Sequence, residues 1–485
     1  MAKTVILGAG IAGHTAATLL RKKLPAQHEI VVISPQAEWN WIPSNIWVGV
    51  GAMERREVVF PLAPVYARQG IEFRQGFATA LRPEGSVDLP QAHVEYTAAQ
   101  AKPGEPPARE TYDYLVNATG PKLNFGATPG LGPHGGHSWS VCTADHAVAA
   151  ARAFRESIAR MKNGERQTLV IGMGHGMCTC EGAAFEYVFN VEHELRRHGV
   201  RERARIIFIT NEGELGDFGM GGLYLKRGGY VTPSRLFAES LFVERGIEWI
   251  NRAHVQRVAP GQLAYETVEG LERELSFDFA MLLPPFRGVG LAASDRGGTD
   301  LAPRLFAPSG FMRVDADYTD RPFEQWSPRD WPATYQNPTY ANIFAAGIAF
   351  APPHAVSRPL RTPKGTLVAP AVPRTGMTAG IMGRTVAFSI ADRVRHGGEA
   401  PLHRAPFATM GAACVASAGK GLWHGTAATI TLYPLVPDYE RYEFGRDLAY
   451  TTGEIGLAGH WLKYVLHHLF LYKAKCRPFW SLIPE

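Results

Sequence analysis

Cysteine is scarce in this chain. Among 485 residues there are five, Cys142, Cys178, Cys180, Cys414 and Cys476. So sparse and odd a set excludes a structural disulfide framework. Cys178 and Cys180 lack a second ligand pair at matching spacing, which excludes a zinc finger type of site, and no metal is expected. Charge of one sign is not clustered: the formal net charge is +5, and no basic stripe suited to nucleic acid is present. No apolar run approaches the roughly 20 residues of a membrane-crossing helix. Solenoid repeats and low-complexity runs are absent too. A first strand beginning at Lys3 leaves no room for a secretory signal, so the chain is expected to be made in the cytoplasm and not to cross a membrane by itself, with the side of the membrane left open.

Length favours two or three domains. The clearest motif is at the start, where KTVILGAGIAG spans residues 3–13. The run Lys3 to Leu7 predicts a strand, Ile11 to about Lys23 a helix, and Glu29 to Ser34 a second strand. Gly8, Gly10 and Gly13 stand at the turn between them, the G-x-G-x-x-G of a dinucleotide-binding βαβ unit. The helix amides and dipole would face a pyrophosphate. One departure is visible: the acid expected at the end of the second strand is replaced by Ser34, with Glu38 just beyond.

Two further segments suit a flavoprotein built from two dinucleotide domains. YDYLVNATG, residues 112–120, predicts a strand running into Ala118, Thr119 and Gly120. ANIFAAG, residues 341–347, predicts another ending at Gly347. A second βαβ unit is expected from TLVIGMGHGMCTC at 168–180, a helix from Glu181 to Arg197 and a strand from Arg205 to Thr210. Its turn holds Gly172, Gly174 and Gly176, but Met177 and two thiols follow where a small residue is expected. Thiols at that position would crowd a pyrophosphate, whereas a helix N-terminus favours a thiolate. The second unit thus reads as recast from pyridine nucleotide binding to sulfur chemistry.

Residues 459–480, GHWLKYVLHHLFLYKAKCRPFW, predict a helix reaching Pro478. Trp461, Leu462, Val465, Leu466, Leu469, Phe470 and Tyr472 supply a broad apolar face. Lys463, His467, His468, Lys473 and Lys475 supply polar and cationic positions. Such a helix suits a bilayer interface.

Over nearly its whole length the chain resembles the sulfide:quinone oxidoreductase family. The resemblance is carried by PSNIWVGVG at 43–51, PKLNFGATPG at 121–130, SVCTADHA at 140–147, CEGAAFEY at 180–187, VPRTG at 372–376 and AACVASAGKG at 412–421, in that order. It implies an α/β fold of two Rossmann-like dinucleotide-binding domains with a C-terminal membrane-surface helical region. The expected division is 1–120 with 330–400 for FAD, 121–329 for the second domain, and 401–485 for the C-terminal region.

The resemblance further implies that Cys180 and Cys414 form a redox pair beside the flavin. Their Cα atoms would then lie within about 4.4–6.8 Å. Cys142 would assist sulfur transfer or tether the flavin, Glu186 would relay a proton, and His146 would stand near the site. Cys178 is additional to the family pattern and is either a competing thiol or a packing residue. FAD would be held by Gly8, Gly10, Ala12, Gly13, Ser34, Pro43, Asn45, Ala118, Thr119, Gly120, Gly347, Arg374 and Thr375.

Three departures from the family pattern stand out. Asp217 occupies a position where many members carry histidine, which removes a group titrating near neutral pH. Val415 follows Cys414 where an aromatic is common, so quinone stacking must come from elsewhere. Residues 351–370 form a longer insertion than usual.

The expected activity is oxidation of hydrosulfide to sulfur or polysulfide with reduction of a membrane quinone. The expected setting is peripheral, on membrane lipid, as a homo-oligomer. Two rivals share the architecture: an NADH:quinone oxidoreductase, and the flavin subunit of a flavocytochrome c sulfide dehydrogenase.

Overall fold

The structure is a computed structural model that describes residues 1–179 and 181–485. Cys180, one half of the expected redox pair, lies outside the described residues.

The N-terminal βαβ unit has the expected bounds. The strand Lys3–Leu7, helix Ile11–Lys23 and strand Glu29–Ser34 follow in turn, and the two strands pair in parallel with Val5 opposite Val31. Their valines and isoleucines are buried on both faces, as in a sheet covered on both sides. From one edge the first sheet runs Ile343–Ala345, Tyr114–Asn117, Lys3–Leu7, Glu29–Ser34, Glu72–Arg82, His93–Ala98 and Ala108–Thr111. The two flavoprotein-type strands are therefore neighbours, beside the N-terminal strand. Ala292–Ala293 also pairs with Glu72–Arg82, so the chain rejoins this sheet at residue 292.

The second βαβ unit is also present. Gln167–Met173 pairs in parallel with Ala204–Ile209 on one side and Phe279–Leu283 on the other. The helix Glu181–Arg197 connects the first two. A third sheet of five strands joins the hairpin Tyr224–Arg227 and Tyr230–Pro233 to Ala412–Ala418, Thr426–Leu432 and Thr452–Gly456. Late chain is thereby laid against the second domain, with Ala412–Ala418 packed on the Glu181–Arg197 helix.

The C-terminal helix spans Leu457–Ala474, stopping short of the expected Pro478. Cys476 and Phe479 adopt left-handed φ values of 48° and 62°, which a helix cannot continue through. Its faces are inverted relative to an ordinary surface helix. His460, Lys463, His467 and Lys473 point inward, while Trp461, Leu462, Val465, Leu469 and Tyr472 are exposed. Among the described residues no helix is long and apolar enough to cross a membrane.

Candidate active site

The first glycine turn fits a dinucleotide by steric argument. Gly8 has φ +95°, and a Cβ there would meet the Ala118 carbonyl oxygen at 2.2 Å. A Cβ on Gly13 would meet the Gly8 carbonyl oxygen at 2.0 Å. Gly10 is different: a Cβ there would meet nothing within 4 Å, so this side of the turn is open to a ligand. No side chain caps the N-terminus of the Ile11–Lys23 helix, leaving its amides for an anion. Gly347 closes on the Ala12 side chain and Gly383 on its backbone, a Cβ on each falling 2.9 Å from Ala12 Cβ and 2.4 Å from the Ala12 carbonyl oxygen.

Across this crossing stands the helix Gly376–His396, whose N-cap Thr375 makes no side-chain cap. Thr375 Oγ1 is buried without a protein partner among the described residues. An open glycine, two uncapped helix starts and an orphaned hydroxyl fit an FAD. The other expected cofactor residues border this groove or brace it. Ser34 is buried at its strand end, and Glu38 is ion-paired with Arg55 at 2.5 Å. Thr119 Oγ1 donates to Asn117 at 2.8 Å, beside Gly120 with φ +69°. Arg374 donates to the carbonyls of Ile348 and Phe350, which fixes the backbone just after Gly347. Asn45 Nδ2 donates to the Val141 carbonyl at 3.2 Å.

That last bond begins a convergence of remote segments. Gly49 is pressed against Val141 and Tyr187, with a Cβ there falling 2.7 Å from Val141 Cγ1 and 2.9 Å from the Tyr187 ring. Tyr187 donates back to the Gly49 carbonyl at 3.0 Å. The segment holding Cys142 is thus tied to the helix that begins at Glu181. Cys414, on the strand Ala412–Ala418, reaches the same helix: its Sγ is 2.7 Å from where a Cβ on Gly182 would fall. Only glycine permits that approach.

The described thiols are held protonated. Burial pushes Cys142 up to about 11, and burial together with the nearby Glu186 charge pushes Cys414 up to about 12. Cys178 is fully buried, its thiol donates to the Leu283 carbonyl at 3.1 Å, and desolvation raises it well above its ordinary value. Desolvation here outweighs any help from the helix start. His146 has its Nε2 3.2 Å from His134 Nε2 and its ring edge on Phe125. Burial, then the neighbouring His134, lowers its pKa.

Three polar groups missing from the sequence-based set appear next to the cysteines. Lys463 Nζ lies 2.8 Å from Glu186 Oε2, and Ser417 Oγ donates to Glu186 Oε1 at 2.7 Å. Lys463 reads in sequence as one more surface cation of an amphipathic helix. The third is Glu181, whose two carboxyl oxygens are buried without a hydrogen-bond partner among the described residues. Asp217 corrects an expectation. Burial raises its carboxyl to about 6, so a group titrating near neutral pH is kept, not lost.

An apolar cavity of about 330 Å³ adjoins the strand of Cys414, reaching Ala413, Val415 and Lys463. Trp41 and Phe470 line it and stack on each other, with ring centroids 5.0 Å apart and planes within 11°. These rings supply the aromatic surface absent at Val415.

The insertion 351–370 closes the second glycine turn. It carries the small hairpin Leu360–Arg361 and Leu367–Val368. Just past it, Ala369 N donates to the Gly176 carbonyl and Ala371 N to the Cys178 carbonyl, both at 2.9 Å. A Cβ on Gly176 would meet the Leu367 carbonyl oxygen and His254 Nδ1, each at 2.9 Å. The chain's own backbone fills the space in which this turn would receive a pyrophosphate.

Comparison with known proteins agrees with this geometry. Residues 2–202 match the pyridine nucleotide-disulphide oxidoreductase family. The sulfide-quinone reductase of Aquifex aeolicus is 29% identical, over 98% of this chain and 92% of that protein. The crystal structure of the Aquifex aeolicus sulfide:quinone oxidoreductase superposes with TM-score 0.76 at 28% identity, covering 98% of this chain and 92% of the other. A mitochondrial sulfide:quinone oxidoreductase of Dictyostelium discoideum is 23% identical, over 71% of this chain and 64% of that one. A Plasmodium falciparum NDH2 structure shares the fold alone, at TM-score 0.63 and 12% identity, covering 98% of this chain and 96% of the other. Over nearly its whole length the chain is thus similar to sulfide:quinone oxidoreductases, flavoproteins built from two dinucleotide domains.

Proposed function

We propose that this protein oxidises sulfide at a cysteine pair, Cys180 with Cys414, and delivers the electrons through FAD to a membrane quinone. The single observation that carries the reading is the contact of Cys414 Sγ with the helix start at Gly182, beside an aromatic-lined cavity. FAD, when bound, accepts two electrons from sulfur and returns them to quinone.

The chain's own residues do the rest. Gly8, Gly10, Gly13 and the helix after them bind the pyrophosphate of FAD, and Thr375 and the Gly376–His396 helix start face the cofactor from the other side. A sulfide sulfur opens the Cys180–Cys414 disulfide, leaving a persulfide on one cysteine and freeing the other. Cys142 stands on a neighbouring segment to receive or pass sulfur. Cys178, sealed and hydrogen-bonded, serves as packing. Glu186, bridged to Lys463, carries protons between the sulfur side and the cavity, where quinone needs them. The cavity's rings stack the quinone head and its apolar wall excludes water.

The C-terminal helix lays its exposed side in the bilayer interface. Val465 is 54% and Leu462 44% exposed, and Trp423, at 73%, stands beside Trp461. The protein is accordingly peripheral, with lipid as its partner. Assembly into a homo-oligomer belongs to the same reading and is checked by light scattering in detergent.

The filled second glycine turn favours sulfide over NADH as electron source. The test is stopped-flow flavin absorbance. Sulfide should bleach the flavin, a short-chain quinone should restore it, and NADH should leave it oxidised. Bleaching by NADH alone would overturn the reading.

A further inference from the structure

Glu181 is 1% exposed, and neither of its oxygens has a hydrogen-bond partner among the described residues. A buried carboxyl in that state is costly unless it has work with a ligand. It follows Cys180 in sequence and precedes Gly182, the residue that Cys414 Sγ touches. A Cβ on Gly219 would lie 3.7 Å from both Glu181 oxygens, and the Gly219 amide donates to Asp217 Oδ1 at 2.7 Å. Glu212 is on the same wall. It accepts from the Phe218 amide at 2.6 Å and from Thr210 Oγ1 at 2.9 Å.

We propose that Glu181 is the base that takes a proton from hydrogen sulfide as its sulfur opens the cysteine disulfide, so that this site admits the neutral molecule in preference to its anion. The inference rests on the sulfide-oxidising reading above.

The groups facing Glu181 are Asp217, Glu212 and the Cys178 thiol. Asp217 in turn faces Glu214 and Arg446. Arg446 is turned partly aside, donating to the carbonyls of Met220 and Leu435 at 3.3 Å. Of the three buried acids on this wall Asp217 ionises below neutral pH and its charge repels an anion, and desolvation adds to the cost of bringing one in. Neutral hydrogen sulfide meets neither barrier. Once inside, it needs a base, because the thiols outside the disulfide, Cys142 and Cys178, are themselves protonated. Burial, with Asp217 as a repelling neighbour, raises Glu181 to about 8. That is close to where hydrogen sulfide ionises, the match that general base transfer requires.

The step balances. Hydrogen sulfide, the Glu181 carboxylate and the disulfide give a persulfide, a cysteine thiolate and the Glu181 carboxylic acid. One S–S bond forms as another breaks, the electron pair of the broken bond stays on the freed cysteine, and the proton goes to Glu181. One negative charge is present before and after.

The test uses full-length FAD-loaded protein and its Glu181→Gln variant, with flavin reduction by sulfide followed across about pH 5.5 to 9. Wild type should give a bell-shaped profile with one limb near 8. Glu181→Gln should lose that limb, level off in alkali as the anion becomes the only competent species, and react about 10²-fold or more slowly at neutral pH. Asp217→Asn should move the same limb to lower pH by removing a repelling charge. Infrared difference spectra should show a protonated carboxyl band that fades near 8 in wild type and is absent from Glu181→Gln. Should Glu181→Gln not fold, Glu181→Asp should keep the bell at a reduced rate. An unaltered profile in both Glu181→Gln and Asp217→Asn, or a level profile in Glu181→Asp, would overturn the role of Glu181. Failure of sulfide to bleach the wild-type flavin would instead overturn the sulfide-oxidising reading itself.

Discussion

Lys463 on the C-terminal helix and Glu186 on the second-domain helix form an ion pair of 2.8 Å with both side chains buried. They are 277 residues apart in sequence, and Glu186 also accepts from Ser417, three residues after Cys414. A buried pair of this kind adds little net stability, but loss of one partner strands the other. Lys463→Met alone should therefore cost about 3–5 kcal/mol in denaturant melts. Adding Glu186→Gln should recover a large part of that. If the two losses simply add, the coupling is absent.

The close approach at Gly182 gives a sharper test of the sulfur site. Gly182→Ala places a methyl 2.7 Å from Cys414 Sγ, so the sulfur, the strand or the helix must shift. Sulfide-dependent quinone reduction should fall by about 10²-fold, as expected when a reacting group is displaced by about 1 Å. The flavin spectrum should be unchanged. Cys414→Ser should abolish sulfide turnover with FAD still bound. Full activity in Cys414→Ser would remove Cys414 from the reaction.

Membrane attachment is checked on the exposed side of the C-terminal helix. Each apolar side chain transferred to lipid contributes about 1.5–3 kcal/mol. Replacing Leu462, Val465 and Leu469 together with serine should weaken co-sedimentation with vesicles by more than about 100-fold. Lys463, His460 and His467 point inward and are left in place. Undiminished vesicle binding would show that another surface makes the attachment.

The carboxyl cluster makes stability fall with rising pH. Glu181 is raised from an ordinary 4.5 to about 8 and Asp217 from 3.8 to about 6, chiefly by burial. Between those paired values the folded chain holds a proton that the unfolded chain has released, so unfolding is favoured as pH rises. Each pH unit in such a window is worth about 1.4 kcal/mol for a fully developed group. Buried His14, His175 and His467, each lowered to about 4, act in the opposite sense up to 6.5. Tm should therefore fall between pH 6.5 and 8, and Glu181→Gln should flatten that fall. A Tm that rises over this window, unchanged in Glu181→Gln, would contradict the direction of the Glu181 shift.

The N-terminal βαβ unit was legible because its signals are local. Unbroken runs of β-branched residues, glycines at a tight turn and a helical run all act within a few residues of each other, and the observed ends coincide with the expected ones. The C-terminal helix was legible in type but not in extent or facing. Left-handed residues at Cys476 and Phe479 leave no compositional trace, and periodicity identifies two faces without saying which is buried. Asp217 looked inert for a related reason, since its titration is set by burial among acids distant in sequence. Lys463 and Ser417 could not be attached to Glu186 without tertiary contacts. The bonds from the segment after Leu367–Val368 to the second glycine turn are likewise long-range.

The inverted helix links two requirements that are usually separable. Its inward lysine pairs with Glu186 near Cys414, and its outward leucines and valine form the exposed face that the proposed reading sets in a bilayer. Polishing that exterior with polar residues to ease handling would weaken the grip on lipid without touching the interior. Loosening the segment as a whole would withdraw the ammonium from Glu186. On the proposed reading, docking to a bilayer and poise for turnover would be mechanically geared through one short rod, and an enzyme adrift in water would feel the change at its innermost acid.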